Sequence, residues 1–131
     1  MPEFLVTYLA IGIVFFALDF CWLAFASSRL YKPGIGRLML ARPNLQVAGL
    51  FYLLYVAGIT VLAVMPNANG PWWAAALAGA MLGLVAYGTY DFTNLATLNG
   101  WSLRVTLADL AWGTALTAVA STGGRLALGW G

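Results

Sequence analysis

The 131-residue sequence has no histidine, a single cysteine, and only six basic and four acidic side chains. Each shortage excludes something. Without histidine there is no His-ligated haem, none of the common zinc or copper sites, and no imidazole for acid–base catalysis. Charged residues make up 8% of the chain, against about 25% in soluble domains, so the chain cannot cover itself with polar surface in water. The few basic residues cannot form the stripe that nucleic acid requires, and nucleic acid is excluded as a partner. Cys21 lies inside an apolar run with no intramolecular partner, and it reads as a small buried hydrophobe.

What is abundant is hydrophobic residues, at 63%. A transmembrane helix needs about 20 apolar residues, and four such stretches consume most of this length. The expected fold is therefore all-α, an integral membrane four-helix bundle forming one domain over residues 1–131. Its spans are expected at about 4–26, 44–65, 72–96 and 103–122, joined first by a cytoplasmic loop over 27–43. Met1-Pro2-Glu3 lacks the basic start of a signal peptide, so the first run reads as a retained helix. Pro43 suits the first turn of the second span, where no amide donor is needed. Trp72-Trp73 and Trp101 read as interfacial belt residues. Gly123-Gly124 leaves the end of the fourth span open, and it could run as far as Leu128.

Basic residues set the expected orientation. Arg29, Lys32, Arg37, Arg42 and Arg104 fall in the first and third connections, whereas the tail has only Arg125. The positive-inside rule then places those connections in the cytoplasm and both termini in the periplasm of a bacterial inner membrane. Arg37, Arg42 and Arg104 are candidates for headgroup contact with anionic lipid. The segment Asp19-Phe20-Cys21-Trp22-Leu23-Ala24 shares Asp-Phe-x-x-Leu-Ala with Asp91-Phe92-Thr93-Asn94-Leu95-Ala96. That echo suggests a parallel repeat of two helical hairpins. Gly79-x-x-x-Gly83 provides small-residue spacing for close helix approach inside the bundle.

The residues that most need an explanation are Asp19, Asp91 and Asp109. Each falls within an expected span, where a charged Asp costs roughly 2.5 to 3.5 kcal/mol at mid-bilayer. At 1.5 Å per residue each lies about 8 to 11 Å from its cytoplasmic helix end, so three helices carry a carboxyl at one level. Helical spacing offers each a polar neighbour: Tyr87 and Asn94 for Asp91, Trp22 for Asp19, Trp112 and Thr106 for Asp109. Tyr52 and Tyr55 of the second span can add phenols, while Gln46 lies nearer the cytoplasmic end. Interhelical hydrogen bonds in membranes average only about 0.6 kcal/mol, a weak reason to carry three ionisable groups as packing glue. A shared polar pocket is the better expectation. Its pocket or binding candidates are Asp19, Trp22, Tyr52, Tyr87, Asp91, Asn94, Asp109 and Trp112. No cofactor is expected, and a hard divalent cation would want more acidic ligands than these.

Leu18-Asp19-x-x-Trp22, Pro43-Asn44, Phe51-Tyr52, the run Gly83-Leu84-x-Ala86-Tyr87-Gly88-Thr89-Tyr90-Asp91-Phe92-Thr93-Asn94-Leu95-Ala96, and Asp109-x-Ala111-Trp112-Gly113 carry a resemblance. The chain resembles the small bacterial predicted membrane proteins catalogued as domain of unknown function 2177. The resemblance implies four helices in the bacterial inner membrane. It also implies a lipid-related role, since such proteins tend to be encoded near fatty-acid-modifying enzymes, cyclopropane-type methyltransferases and flavin-dependent amine-oxidase-like proteins among them. Three functions follow as expectations. One is a pocket handling a lipid or other amphiphile, in a lipid-modifying enzyme or its accessory subunit. The others are a small proton-coupled transporter and a structural subunit of a larger membrane complex. Membrane lipids, and with them lipid-modifying enzymes or such a complex, are the expected partners.

Overall fold

The computed structural model describes residues 2–130, and among these there is no strand. Long apolar runs without internal proline form four long helices. They are α1 (Pro2–Ala26), α3 (Leu45–Ile59), α4 (Trp72–Thr97) and α5 (Leu103–Trp130), with a single short turn, α2 (Lys32–Ile35), between the first two. α1 continues through a wide π-helical turn, Ser27–Tyr31, into α2 and a 3-10 turn, Gly36–Leu38. α3 continues through a second wide turn, Thr60–Val64, and stops at Pro66 within Met65–Asn67. Asn44 caps the start of α3, its side-chain oxygen accepting from the Val47 amide at 3.1 Å.

Three helical stretches are long and apolar enough to cross a membrane: Glu3–Leu38, Leu45–Asn67 and Trp72–Thr97. α5 is the exception because it carries the polar load of the bundle. Thr106, Asp109, Thr117 and Ser121 all lie on it, and all are buried. Its place explains this. α5 packs along α4 over most of its length and along α1 on the other side, so its polar face meets protein. It also runs through Gly123-Gly124 without ending, because Gly124 faces Ile11 of α1 where a side chain would not fit.

Small residues set the α4–α5 spacing. A methyl on Gly79 would strike Ser121 and the Thr117 carbonyl, and one on Gly83 would strike the Gly113 carbonyl. This is backbone approach of the small-xxx-small kind, used inside the bundle. At the end of the molecule carrying the termini, Ile11, Phe15, Val56, Ile59, Val64 and Leu116 form a buried apolar core, and Arg125 donates twice to the Gly70 carbonyl at 2.9 and 3.1 Å. Cys21 departs from expectation. It is exposed on the outer face of α1, because it lies two residues from the inward-facing Asp19 and points away from the bundle.

The second long helix is not packed evenly. α4 meets it at the Thr60–Val64 turn, and over Leu45–Ile59 the two helices diverge toward the opposite end. The opening between them lies at the end where α1 finishes and α5 begins.

Candidate functional site

The divergence of α3 from α4 leaves a cavity of about 540 Å³. Asp19 of α1, Asp91 of α4 and Asp109 of α5 all line it. Asp19 and Asp109 are 8% exposed and Asp91 is fully buried, so the three carboxyls converge on one interior space. Tyr31 and Ile35 from the segment after α1, Phe51 and Tyr52 from α3, Tyr87 and Tyr90 from α4, and Trp101 before α5 complete most of the wall.

The partners of the carboxyls come mostly from other helices. Asp19 accepts from the Tyr52 hydroxyl at 2.9 Å and from the Trp112 indole at 3.1 Å. Asp109 accepts from the Tyr31 hydroxyl at 2.6 Å, a charge-assisted length. That hydroxyl in turn accepts from the Trp22 indole at 3.0 Å. Trp22 and Trp112 stack face to face, ring centres 4.8 Å apart and planes 11° from parallel. The stack crosses between α1 and α5 and fixes both indole N–H groups. Two carboxyls and two indoles are thereby held in one network with two phenols.

Asp91 is different. Neither of its oxygens has a hydrogen-bond donor among the described residues. Asp109 lines the same cavity, but a carboxylate only accepts. A donor for Asp91 must therefore come from a protonated carboxyl or from a molecule in the cavity. A buried acceptor left bare costs about 1–3 kcal/mol, more if charged, which makes Asp91 the most conspicuous group in the chain.

Helical spacing pointed to the wrong donors. Trp22, three residues after Asp19, serves Tyr31; Trp112, three residues after Asp109, serves Asp19. Thr106 donates to the Ser102 carbonyl and accepts from Trp101. Tyr87 lines the cavity and lays its ring against Gly113, where any side chain would collide with it. Asn94 is half-buried and is not part of the cavity wall. Tyr55 turns to Thr117, 2.8 Å between hydroxyls, and Gln46 is exposed.

Several wall residues were missed, among them Tyr31 and Trp101, the most polar of those from the connecting segments. Tyr31 and Trp101 read as loop and belt residues, yet the wide turn after α1 carries Tyr31 back over the bundle. The available signal was the tyrosine itself, a hydroxyl in an otherwise basic and apolar stretch. Of the arginines, Arg37 donates to the Gly100 carbonyl at 2.7 Å. It thereby ties the segment after α1 to the α4–α5 turn, where Gly100 takes φ +77°. Arg42 and Arg104 are exposed at the same end.

A second, shallower groove of about 470 Å³ continues along the same α3–α4 opening, lined by Leu54, Val61, Leu62, Leu82 and neighbouring apolar groups. Phe51 and Ala86 belong to both walls, so the acidic cavity and the apolar groove on the outer face of the bundle are neighbours. Among the described residues no group of three or more acidic or cysteine side chains has the arrangement of a metal site. The family model described as "Predicted membrane protein (DUF2177)" matches residues 4–126. No curated protein and no solved structure matches the chain.

Proposed function

Because the chain belongs to this family of predicted membrane proteins, we propose that it works within the bilayer, taking a lipid or other amphiphile into the cavity between α3 and α4. The observation that carries the reading is the adjacency of the two spaces. A polar end lined by Asp19, Asp91 and Asp109 adjoins an apolar groove at Phe51 and Ala86, an arrangement that matches a molecule with a polar head and an apolar chain. A ligand could enter sideways from the bilayer, since the groove lies on the outer face. The chain is then a lipid-modifying enzyme or the subunit that presents lipid to one, with membrane lipids and such enzymes as its partners.

The same reading puts the chain in the bacterial inner membrane with both termini periplasmic. Arg29, Lys32, Arg37, Arg42 and Arg104 gather at the cavity end, against Arg125 at the other. A second reading, a small proton-coupled transporter, draws on Asp91 and Asp109, since carboxyls inside a membrane span are the groups that carry protons in such proteins. Substrate-driven proton movement in sealed proteoliposomes would favour it.

The test uses the full chain in phosphatidylcholine nanodiscs carrying dodecyl amphiphiles with neutral, anionic or cationic heads. Native mass spectrometry should detect one amphiphile retained per chain. Asp19→Asn, Asp91→Asn and Asp109→Asn, each checked for helix content, should weaken retention. If wild type retains none of the panel, or all three variants retain it unchanged, the reading fails and the aspartates are packing groups of a structural subunit.

A further inference from the structure

We infer that the amphiphile has a primary ammonium head, seated between the Asp91 and Asp109 carboxyls, with its chain along the α3–α4 groove. The inference rests on the amphiphile reading and names the head that reading leaves open. It starts from the hydrogen-bond inventory of the cavity. Asp19 already takes two donors, from Tyr52 and Trp112, and Asp109 takes one from Tyr31. Asp91, fully buried on the cavity wall, takes none on either oxygen. The unmet capacity is therefore for donors, and it is concentrated at Asp91, on a wall shared with Asp109.

Charge selects among the heads that could supply those donors. Among the described residues no basic side chain lines the cavity, and Arg37, the basic residue folded back over this end, is occupied by the Gly100 carbonyl. A phosphate or carboxylate head would meet three acidic groups with no counter-charge. A hydroxyl brings one donor and leaves the two carboxyls unneutralised. An alkylammonium brings three N–H donors, no acceptor, and a positive charge, which matches carboxyls on one cavity wall with free lone pairs. A quaternary ammonium has the charge without the donors and would rely on the aromatic walls alone.

The chain has a defined path. From Phe51 to Leu62 the groove follows α3 and the turn after it for about 16 Å at 1.5 Å per residue, bordered across the gap by Leu82 and Ala86. Head and chain thus have adjoining places, without the head leaving the protein or the chain leaving apolar surroundings.

Four dodecyl probes decide the question in phosphatidylcholine nanodiscs: dodecylamine, dodecyltrimethylammonium, dodecanol and dodecanoate, each titrated as a bilayer mole fraction and read by native mass spectrometry and tryptophan fluorescence. Hydrogen bonds to a charged group predict that dodecylamine binds at least about tenfold more tightly than each of the others. Asp91→Asn should remove most of that preference, and the wild-type ranking stands as a test even if the variant does not fold. Equal or tighter binding of dodecanoate, dodecanol or dodecyltrimethylammonium overturns the ammonium assignment and leaves the amphiphile reading in place. Retention of none of the four overturns both.

Discussion

Tyr31 and Tyr52 each donate one hydrogen bond to a buried aspartate, and the consequences of losing them differ. Without the Tyr52 hydroxyl, Asp19 still holds the Trp112 indole. Without the Tyr31 hydroxyl, Asp109 loses its donor and Trp22 loses its acceptor. Tyr52→Phe should therefore cost about 0.6 kcal/mol, the average for a membrane hydrogen bond, and Tyr31→Phe about 1–3 kcal/mol, the cost of a bare buried acceptor. Reversible unfolding in bicelles gives the order, and Tyr52→Phe costing more would contradict the network. The aspartates stood out in the sequence because a carboxyl in an apolar run is costly to place in a membrane. Their donors did not. Spacing of three or four finds neighbours on the same helix, whereas Tyr52, Trp112 and Tyr31 reach across to their carboxyls from other elements.

The helices themselves were readable, since unbroken apolar runs bounded by Pro, Asn and Gly leave little else for the chain to form in lipid. The two wide turns were not: Ser27–Tyr31 read as the start of a loop over 27–43, although the helical stretch runs on to Leu38, and nothing in Thr60–Val64 departs from ordinary helical composition. The fate of Gly123-Gly124 depended on a neighbour, Ile11, that local sequence does not reveal. The contrast between glycines yields a prediction at this scale. Gly113 lies under the Tyr87 ring, whereas a methyl on Gly58 would meet nothing within 4 Å. Gly113→Ala should cost about 1–3 kcal/mol by overpacking. Gly58→Ala should be neutral or gain up to about 1 kcal/mol of helix propensity. Thermal unfolding in detergent compares them, and equal tolerance would show that Tyr87 does not depend on the close α4–α5 approach.

For the whole molecule, fold class and the tilt of basic charge toward one end followed from composition. The uneven packing of α3, on which the cavity depends, did not, because the hydrophobicity of a span says that it is buried in lipid or protein without saying which. Orientation is open to direct measurement. Single cysteines placed at Ser28 and Asn69 in a Cys21→Ala background should be labelled by an impermeant maleimide from the cytoplasmic and periplasmic sides respectively, and the reverse pattern would contradict the proposed topology.

The central claim is that an amphiphile lies in the α3–α4 opening, with its head at the three carboxyls. Photolabelling in nanodiscs with a diazirine-bearing dodecyl amphiphile, mapped by peptide mass spectrometry, tests it most directly. Leu54 on the groove and Ile13 on the far side of α1 are 68% and 70% exposed, so lipid contact alone would label them alike. The account predicts that labelling displaced by unlabelled amphiphile concentrates on Phe51, Leu54, Leu82 and Ala86. Displaceable label spread equally over Ile13, Leu9 and Leu107 would contradict it.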